Sequence, residues 1–213
     1  MKKSRVLILG ASGHGKVAGD CARVAGQWSD LVYFDDRWPA LQTCGPWPVV
    51  GTAESLIAGY RQGDQAFVAI GHADTRLTLL KKIALAGIEI ATIIHPSAVV
   101  SSGVTIGQGT LVLAGTVINM DTRIGLGCIV NTGATVDHDC ILADGVHVCP
   151  GAHLAGDVKV GRGAWIGIGS NVCQGLTIGP GATIGAGAAV VEDVASGQTV
   201  TGVPARPRMT KHP

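Results

Sequence analysis

The sequence predicts a small parallel-sheet α/β domain followed by a parallel β-helix. Two observations carry this expectation. Residues 1–94 alternate strand-like apolar runs with helix-like segments, the order that builds a parallel sheet covered by helices. From Val100 a branched aliphatic recurs every sixth residue through Val190, sixteen times without a slip. Six residues turn an α-helix by about 600°, which scatters an apolar face, whereas a six-residue period is the mark of a parallel β-helix. The 32 glycines and the 4% aromatic content fit a turn-rich β structure with no G-X-Y period.

The front elements follow in order. "RVLILG" (5–10) reads as a buried strand, and "GHGKVAGDCARVAG" (13–26) as a helix that stops at Gly26. "LVYFDD" (31–36) is a second strand ending in two acids, and "WPVVG" (47–51) a short third. "TAESLIAGY" (52–60) is a short helix with Thr52 as its N-cap. "AFVAIGH" (66–72), "DTRLTLLKKIALAG" (74–87) and "IEIATII" (88–94) are a strand, an amphipathic helix and a last strand. The result is a Rossmann-like arrangement over 1–94. The turn "GASGHGK" at the first helix offers backbone N–H groups to an anion, although Ala11 and Ser12 break the G-x-G-x-x-G spacing of a dinucleotide site.

In the repeat, each aliphatic points inward and stacks on its equivalents, with a small or modest residue two positions earlier. Three short strands make a coil of about 18 residues, with glycine favoured at corners. The β-helix is expected over 95–191 and a C-terminal tail over 192–213. Exposed aliphatic faces favour association.

Net charge is +1, which offers no electrostatic case for nucleic acid or an anionic membrane surface. The apolar run near the N-terminus is five residues, too short for a signal peptide, and no stretch approaches the roughly 18 apolar residues of a membrane span. The six cysteines form no CxxC pair. A cytoplasmic protein with reduced thiols is expected.

One stretch interrupts the aliphatic pattern. "NTGATVDHDCILADGVHVCPGAH" (131–153) holds Asn131, Asp137, His138, Asp139, Asp144, His147 and His153. Asp137 follows the inward Val136, so His138 stands near an outward corner, with His147 half a coil away. Two such imidazoles do not meet within one chain; across a subunit boundary they can. Other charges, such as Asp121, Arg123, Asp157, Lys159 and Arg162, read as solvated corner residues.

Together "GASGHGK" (10–16), "FDD" (34–36), "AIGH" (69–72), "IHPSA" (94–98), "NTGATVDHDC" (131–140), "HVCPGAHLAGDVKVG" (147–161) and "GVPAR" (202–206) resemble the sialic acid O-acetyltransferase and nucleotide-aminosugar N-acetyltransferase family. Members such as the bacillosamine and perosamine N-acetyltransferases carry a nucleotide-sugar domain before a left-handed β-helix and form homotrimers. The resemblance implies acetyl-CoA as co-substrate, no metal, and a nucleotide-linked 4-amino-dideoxy sugar as acceptor. His138 becomes the general base and Asp139 the acid that stabilises its imidazolium. Some members have Glu there, so the reach of the shorter Asp is a question for the structure. His147, Gly156, Ile168 and Ala186 match acetyl-CoA contacts, with the Gly156 N–H near the acetyl carbonyl. Ser12, Gly13, His14 and Gly71 match nucleotide-sugar contacts. Asp35 and Asp36 can accept bonds from base or ribose, and Asn131 joins the same group. Paired Asp resembles the UDP-sugar members more than the GDP-sugar ones. Arg206 can meet a CoA phosphate or stand as a surface residue.

Three other readings stay open at this point: O-acetylation of a sialic-acid-type sugar, a zinc hydrolase of the γ-carbonic-anhydrase kind using His138, His147 and His153, and a non-catalytic nucleotide-sugar sensor. An acyl-cysteine route through Cys140 is disfavoured by its inward, small-residue position.

Overall fold

A computed structural model describes residues 5–208. The chain divides into two compact units, Met1–Pro96 and Ser97–Pro213.

The first unit is built on a four-stranded parallel sheet. Its strands β1 (Arg5–Leu9), β2 (Asp30–Phe34), β5 (Gln65–Val68) and β6 (Glu89–Ile90) lie in the order β2-β1-β5-β6. Val6, Leu7, Ile8 and Leu9 are each at most 4% exposed, as the unbroken apolar run of a doubly covered parallel strand requires. Between β1 and β2 runs α1 (Gly13–Ala25), which buries a face of small residues, Gly15, Ala18, Gly19, Cys21 and Ala22. Glycine is needed at position 19 because the Tyr33 hydroxyl occupies the space of a side chain there. That hydroxyl donates to the Gly15 carbonyl at 3.0 Å. Gly26 ends the helix in the left-handed region, φ 65°. The helix α2 (Ala53–Gly59) starts with a capping box between Thr52 and Ser55. The helix α3 (Ala73–Leu85) starts at His72, whose side chain accepts from the Thr75 N–H.

Two front-unit segments are refined by the structure. The run 47–51 is a short strand with two partners. β4 (Trp47–Pro48) pairs antiparallel with β3 (Thr43–Cys44), placing Trp47 at 5.7 Å from Tyr33, ring stacked on ring. Val49 bridges Tyr33 of β2 in parallel, with the Val50 N–H donating to the Tyr33 carbonyl at 2.9 Å. The run 88–94 divides into β6 and β7 (Ile93–Ile94), with the Ala91 N–H completing the β5–β6 ladder at the Ala66 carbonyl.

In the second unit the hexads are two-residue strands on three faces. The first face carries Leu111–Val112, Ile129–Val130, His147–Val148, Trp165–Ile166 and Thr183–Ile184. The second carries Val99–Val100, Val117–Ile118, Thr135–Val136, His153–Leu154, Asn171–Val172 and Ala189–Val190. The third carries Thr105–Ile106, Arg123–Ile124, Ile141–Leu142, Lys159–Val160 and Thr177–Ile178. All neighbours within a face are parallel, and the aliphatics from Val112 to Val190 are at most 4% exposed. Val100 and Ile106, in the first coil, are half-buried. Buried hydroxyls beside this column bond corner carbonyls: Thr110 to Gly125, Thr116 to Asn131 and Thr122 to Asp137, and each of these bonds offsets the desolvation of its hydroxyl.

From residue 192 the chain does not leave as a tail. Thr199–Thr201 adds a parallel rung beside Thr183–Ile184, and Arg206–Pro207 folds back antiparallel on it. Residues 209–213, the end of the expected tail, lie outside the described residues.

Candidate active site

His138 sits in the corner between the second and third faces. At the other two corners the left-handed position is held by glycines, among them Gly133, Gly151, Gly145 and Gly163. At this corner it is held in three successive coils by Asp121, Asp139 and Asp157, at φ 61°, 60° and 56°, and in the next coil by Gly175. Asp enters that region more readily than most residues, and here the conformation turns the Asp139 carboxylate back to its neighbour. Asp139 Oδ2 lies 2.7 Å from His138 Nδ1, so the shorter acid does reach. The carboxylate only accepts, so Nδ1 carries the proton and Nε2 presents its lone pair. The Asp139 hydrogen bond leads the causes that raise the His138 pKa, with the charges of Asp137 and Asp157 adding to it. Both side chains are 59% exposed, open to a substrate.

The ring rests against Gly156, one coil on. A methyl group built on Gly156 would lie 2.6 Å from both Cε1 and Nε2 of His138. Below the ring, Asp137 Oδ1 accepts from the Asn119 amide at 2.7 Å and from the His138 N–H at 2.8 Å. These bonds hold the Asp137 carboxyl below its ordinary pKa. The three stacked acids line a groove of about 510 Å³ with Thr105, Arg123 and Ile141. On the second face a groove of about 470 Å³ is lined by Asn119, Asp137, His153, Asn171 and Cys173. Ile168 and Ala186, both exposed, stand at the opposite edge of that face, the corner shared with the first face. His138 and Gly156 thus flank one face with Ile168 and Ala186.

His147 is elsewhere, on the first face across the prism from His138, and Asn131 follows that face's strand Ile129–Val130 at the corner shared with the second face. They meet each other: Asn131 Nδ2 lies 3.1 Å from His147 Nε2. Because Asn131 Oδ1 accepts from the Thr132 N–H at 2.8 Å, its amide nitrogen faces the imidazole, which must accept through Nε2. Trp165 packs on His147 with centroids 4.3 Å apart. Sequence reasoning passed over Trp165, although its 18-residue spacing from His147 was legible. His153 lies on the second face and bonds Thr135 at 2.9 Å. The three histidines stand on separate sides of one chain, and among the described residues no group of three or more His, Cys, Asp or Glu could hold a metal ion. Cys140 is fully buried, and burial pushes its thiol up to about 11. That leaves almost no thiolate at neutral pH.

In the first unit the chain order reverses between β1 and β5, which opens a crevice at the carboxyl ends of those strands. The β1–α1 turn and the β5–α3 turn meet there: a side chain at Gly10 would strike the Ala69 carbonyl at 2.7 Å. This gathers Ser12, Gly13, His14 and Gly71. Ser12 and Gly13 are exposed, and Ser12 makes no side-chain cap bond to the helix it precedes. Burial, aided by the Arg76 charge, lowers the His14 pKa to about 4, so it is a neutral hydrogen-bonding group. Arg76 was missed: a helical Arg reads as solvated, yet it is 0% exposed and donates to the Ile70 and Gly71 carbonyls at 2.7 Å each.

The two acids of "FDD" already have partners. Asp35 Oδ2 accepts from the Ala11 N–H at 2.8 Å, and its two oxygens grip the Arg37 guanidinium at 2.8 Å each. Asp36 Oδ1 accepts from the Ala53 N–H at the start of α2. Arg37, 58% exposed, and the exposed Asp36 are the charged groups this strand end offers to solvent. Arg206 lies within 3.4 Å of Glu192.

Residues 5–83 match the family described as PglD N-terminal domain. A curated relative, UDP-N-acetylbacillosamine N-acetyltransferase of Bacillus subtilis (strain 168), is 36% identical over 115 residues, 51% of this chain and 51% of the relative. The aligned stretch thus spans about half the length of that protein. Among solved structures, the acetyltransferase domain of PglB from Neisseria gonorrhoeae FA1090 in complex with acetyl coenzyme A aligns with TM-score 0.93 and 38% identity, over 98% of this chain and 100% of that one. A point mutant of perosamine N-acetyltransferase from Caulobacter crescentus in complex with CoA and GDP-perosamine aligns with TM-score 0.92 and 39% identity, over 97% and 98% of the two chains.

Proposed function

Because the chain belongs to the sugar N-acetyltransferase family with a hexapeptide-repeat solenoid, we propose that it transfers the acetyl group of acetyl-CoA to the 4-amino group of a nucleotide-linked 4-amino-dideoxy sugar. The observation that carries this is the His138–Asp139 pair, 2.7 Å apart and seated against Gly156. In the reaction His138 Nε2 takes a proton from the amine as it attacks the thioester carbonyl. The Asp139 carboxylate stabilises the imidazolium that forms. The Gly156 N–H serves as donor to the oxyanion, where glycine allows close approach. Collapse of the tetrahedral intermediate expels the CoA thiolate, and no acyl-enzyme forms, in keeping with the buried Cys140 thiol.

Acetyl-CoA lies along the second face between the His138 and Ile168 corners, with Ala186 continuing its groove. The nucleotide sugar takes the β1–β5 crevice, with Ser12, Gly13, His14 and Gly71 around its phosphates. Asn131 and His147 complete the site from a neighbouring subunit of a homotrimer. Support for that assembly is the position of His147 across the prism from His138 and the exposed Val99, Ile141, Trp165 and Ile168 on the outer surface. A cytoplasmic location belongs to the same proposal; among the described residues no helix is long and apolar enough to cross a membrane. A uridine nucleotide is favoured over guanosine by the resemblance of the paired Asp35 and Asp36 to UDP-sugar members, and the assay below decides between them.

The test is thiol release from acetyl-CoA with UDP- and GDP-linked 4-amino-4,6-dideoxy sugars. Turnover with one names the nucleotide. Silence with both, at millimolar acceptor, sinks the N-acetyl proposal and turns attention to hydroxyl acceptors.

A further inference from the structure

The three residues Asp137, His138 and Asp139 are tied to the coils on either side. The Asp139 N–H donates to the Met120 carbonyl at 3.0 Å, and the Asp157 N–H to the His138 carbonyl at 2.9 Å. The buried Thr122 hydroxyl donates to the Asp137 carbonyl at 2.7 Å. Those bonds belong to the repeat, since Thr110 and Thr116 bond corner carbonyls in the same way at other corners. The bond from Asn119 is not of that kind. Its amide nitrogen reaches Asp137 Oδ1 at 2.7 Å, and the same oxygen accepts the His138 N–H at 2.8 Å. One carboxylate oxygen therefore links a half-buried amide in the coil below to the backbone of the base itself.

We infer that Asn119 is a positioning residue for His138, acting through the Asp137 carboxylate. The physical reason is the exposure of the corner. The His138 and Asp139 side chains are each 59% exposed, so packing alone does not hold the imidazole. Its aim depends on the backbone at 138 and on the left-handed Asp139, φ 60°, keeping its carboxylate at Nδ1. With the Asn119 amide gone, the Asp137 carboxylate can swing to water and release the His138 N–H. The turn then loosens and the imidazole samples orientations away from the amine. The Asn119 amide bonds Asp137, not the imidazole or Asp139, so its effect is one of geometry.

The inference rests on His138 being the base. The experiment measures kcat and KM for acetyl-CoA and for the accepted nucleotide sugar in the full-length wild type and in Asn119→Ala, Asp137→Ala, Asp137→Asn and His138→Ala. Asn119→Ala and Asp137→Ala are expected to lower kcat about tenfold or more while both KM values stay within about twofold, the pattern of a misplaced group rather than lost binding. Asp137→Asn keeps an acceptor oxygen for both donors and is expected to restore kcat to within about threefold of wild type. That rescue separates geometry from charge. Wild-type kcat in Asn119→Ala overturns the inference, as does an Asp137→Asn variant as damaged as Asp137→Ala. If Asn119→Ala does not melt like wild type, the two Asp137 variants decide between geometry and charge. Full activity of His138→Ala fails the base assignment itself. An inactive His138→Ala beside an undamaged Asn119→Ala fails only the positioning role.

Discussion

The imidazole of His138 lies against Gly156, so close that a methyl group on the glycine would fall 2.6 Å from its Nε2. The seat exists because residue 156 stands one coil of 18 residues above 138, and a parallel solenoid stacks equivalent positions directly. Gly156 is outside the left-handed region, so its backbone accepts Ala without strain. Gly156→Ala should therefore leave the melting temperature within a few degrees while lowering kcat about a hundredfold, by pushing the ring off its aim. Kinetics beside a thermal melt check this; wild-type kcat would mean that the ring needs no seat.

Removing the Asp139 charge should move the pH profile in a known direction. Asp139 raises the His138 pKa, and the base works only when deprotonated, so activity falls as pH drops through that value. Asp139→Asn should shift the acid limb of kcat/KM to lower pH and reduce the plateau about tenfold to a hundredfold. A limb that stays in place would show that the acid does not tune the base.

The cysteine beside the pair should be dispensable. Cys140 is fully buried, its thiol is pushed up to about 11, and its Sγ lies 3.2 Å from the Ala155 carbonyl. Cys140→Ala should retain kcat within about twofold and lose about 1 kcal/mol of stability with the sulfur's packing. Mass spectrometry after acetyl-CoA alone should find no acetylated protein; a stoichiometric acetyl adduct would favour the double-displacement route.

Asp35 ties acid tolerance to the front unit. The Arg37 fork leads the causes that hold its carboxyl well below the usual range, with the Ala11 N–H contributing. A depressed folded pKa gives stability that is complete above the unfolded value, near 3.9, and is lost as pH falls towards the folded one. Asp35→Asn should be less stable than wild type by about 2 kcal/mol at pH 6. The gap should narrow as pH falls below about 4, as urea melts at pH 6 and pH 3 will report.

The solenoid was legible because its rule is local and repeated. One inward aliphatic every six residues leaves no other fold that buries them all, and Val112 through Val190 are buried as that period requires. The same frame put His138 at an outward corner and Cys140 inside. The front strands and helices were legible from apolar periodicity and from Thr52 and Gly26 as helix boundaries. What the frame does not encode is who meets whom across coils and turns. The 2.7 Å reach of Asp139 depends on a left-handed backbone at a corner where glycine is the rule elsewhere. The pairing of Asn131 with His147, the burial of Arg76 under the Gly71 turn, and the bond from the Ala11 N–H to Asp35 join groups from separate rungs or loops. Those contacts are energies of packing and hydrogen bonding between segments brought together only by folding. The sequence by itself determined the repeat and the position of the base on it; the tertiary structure decided which neighbours aim that base and which acids were already spoken for.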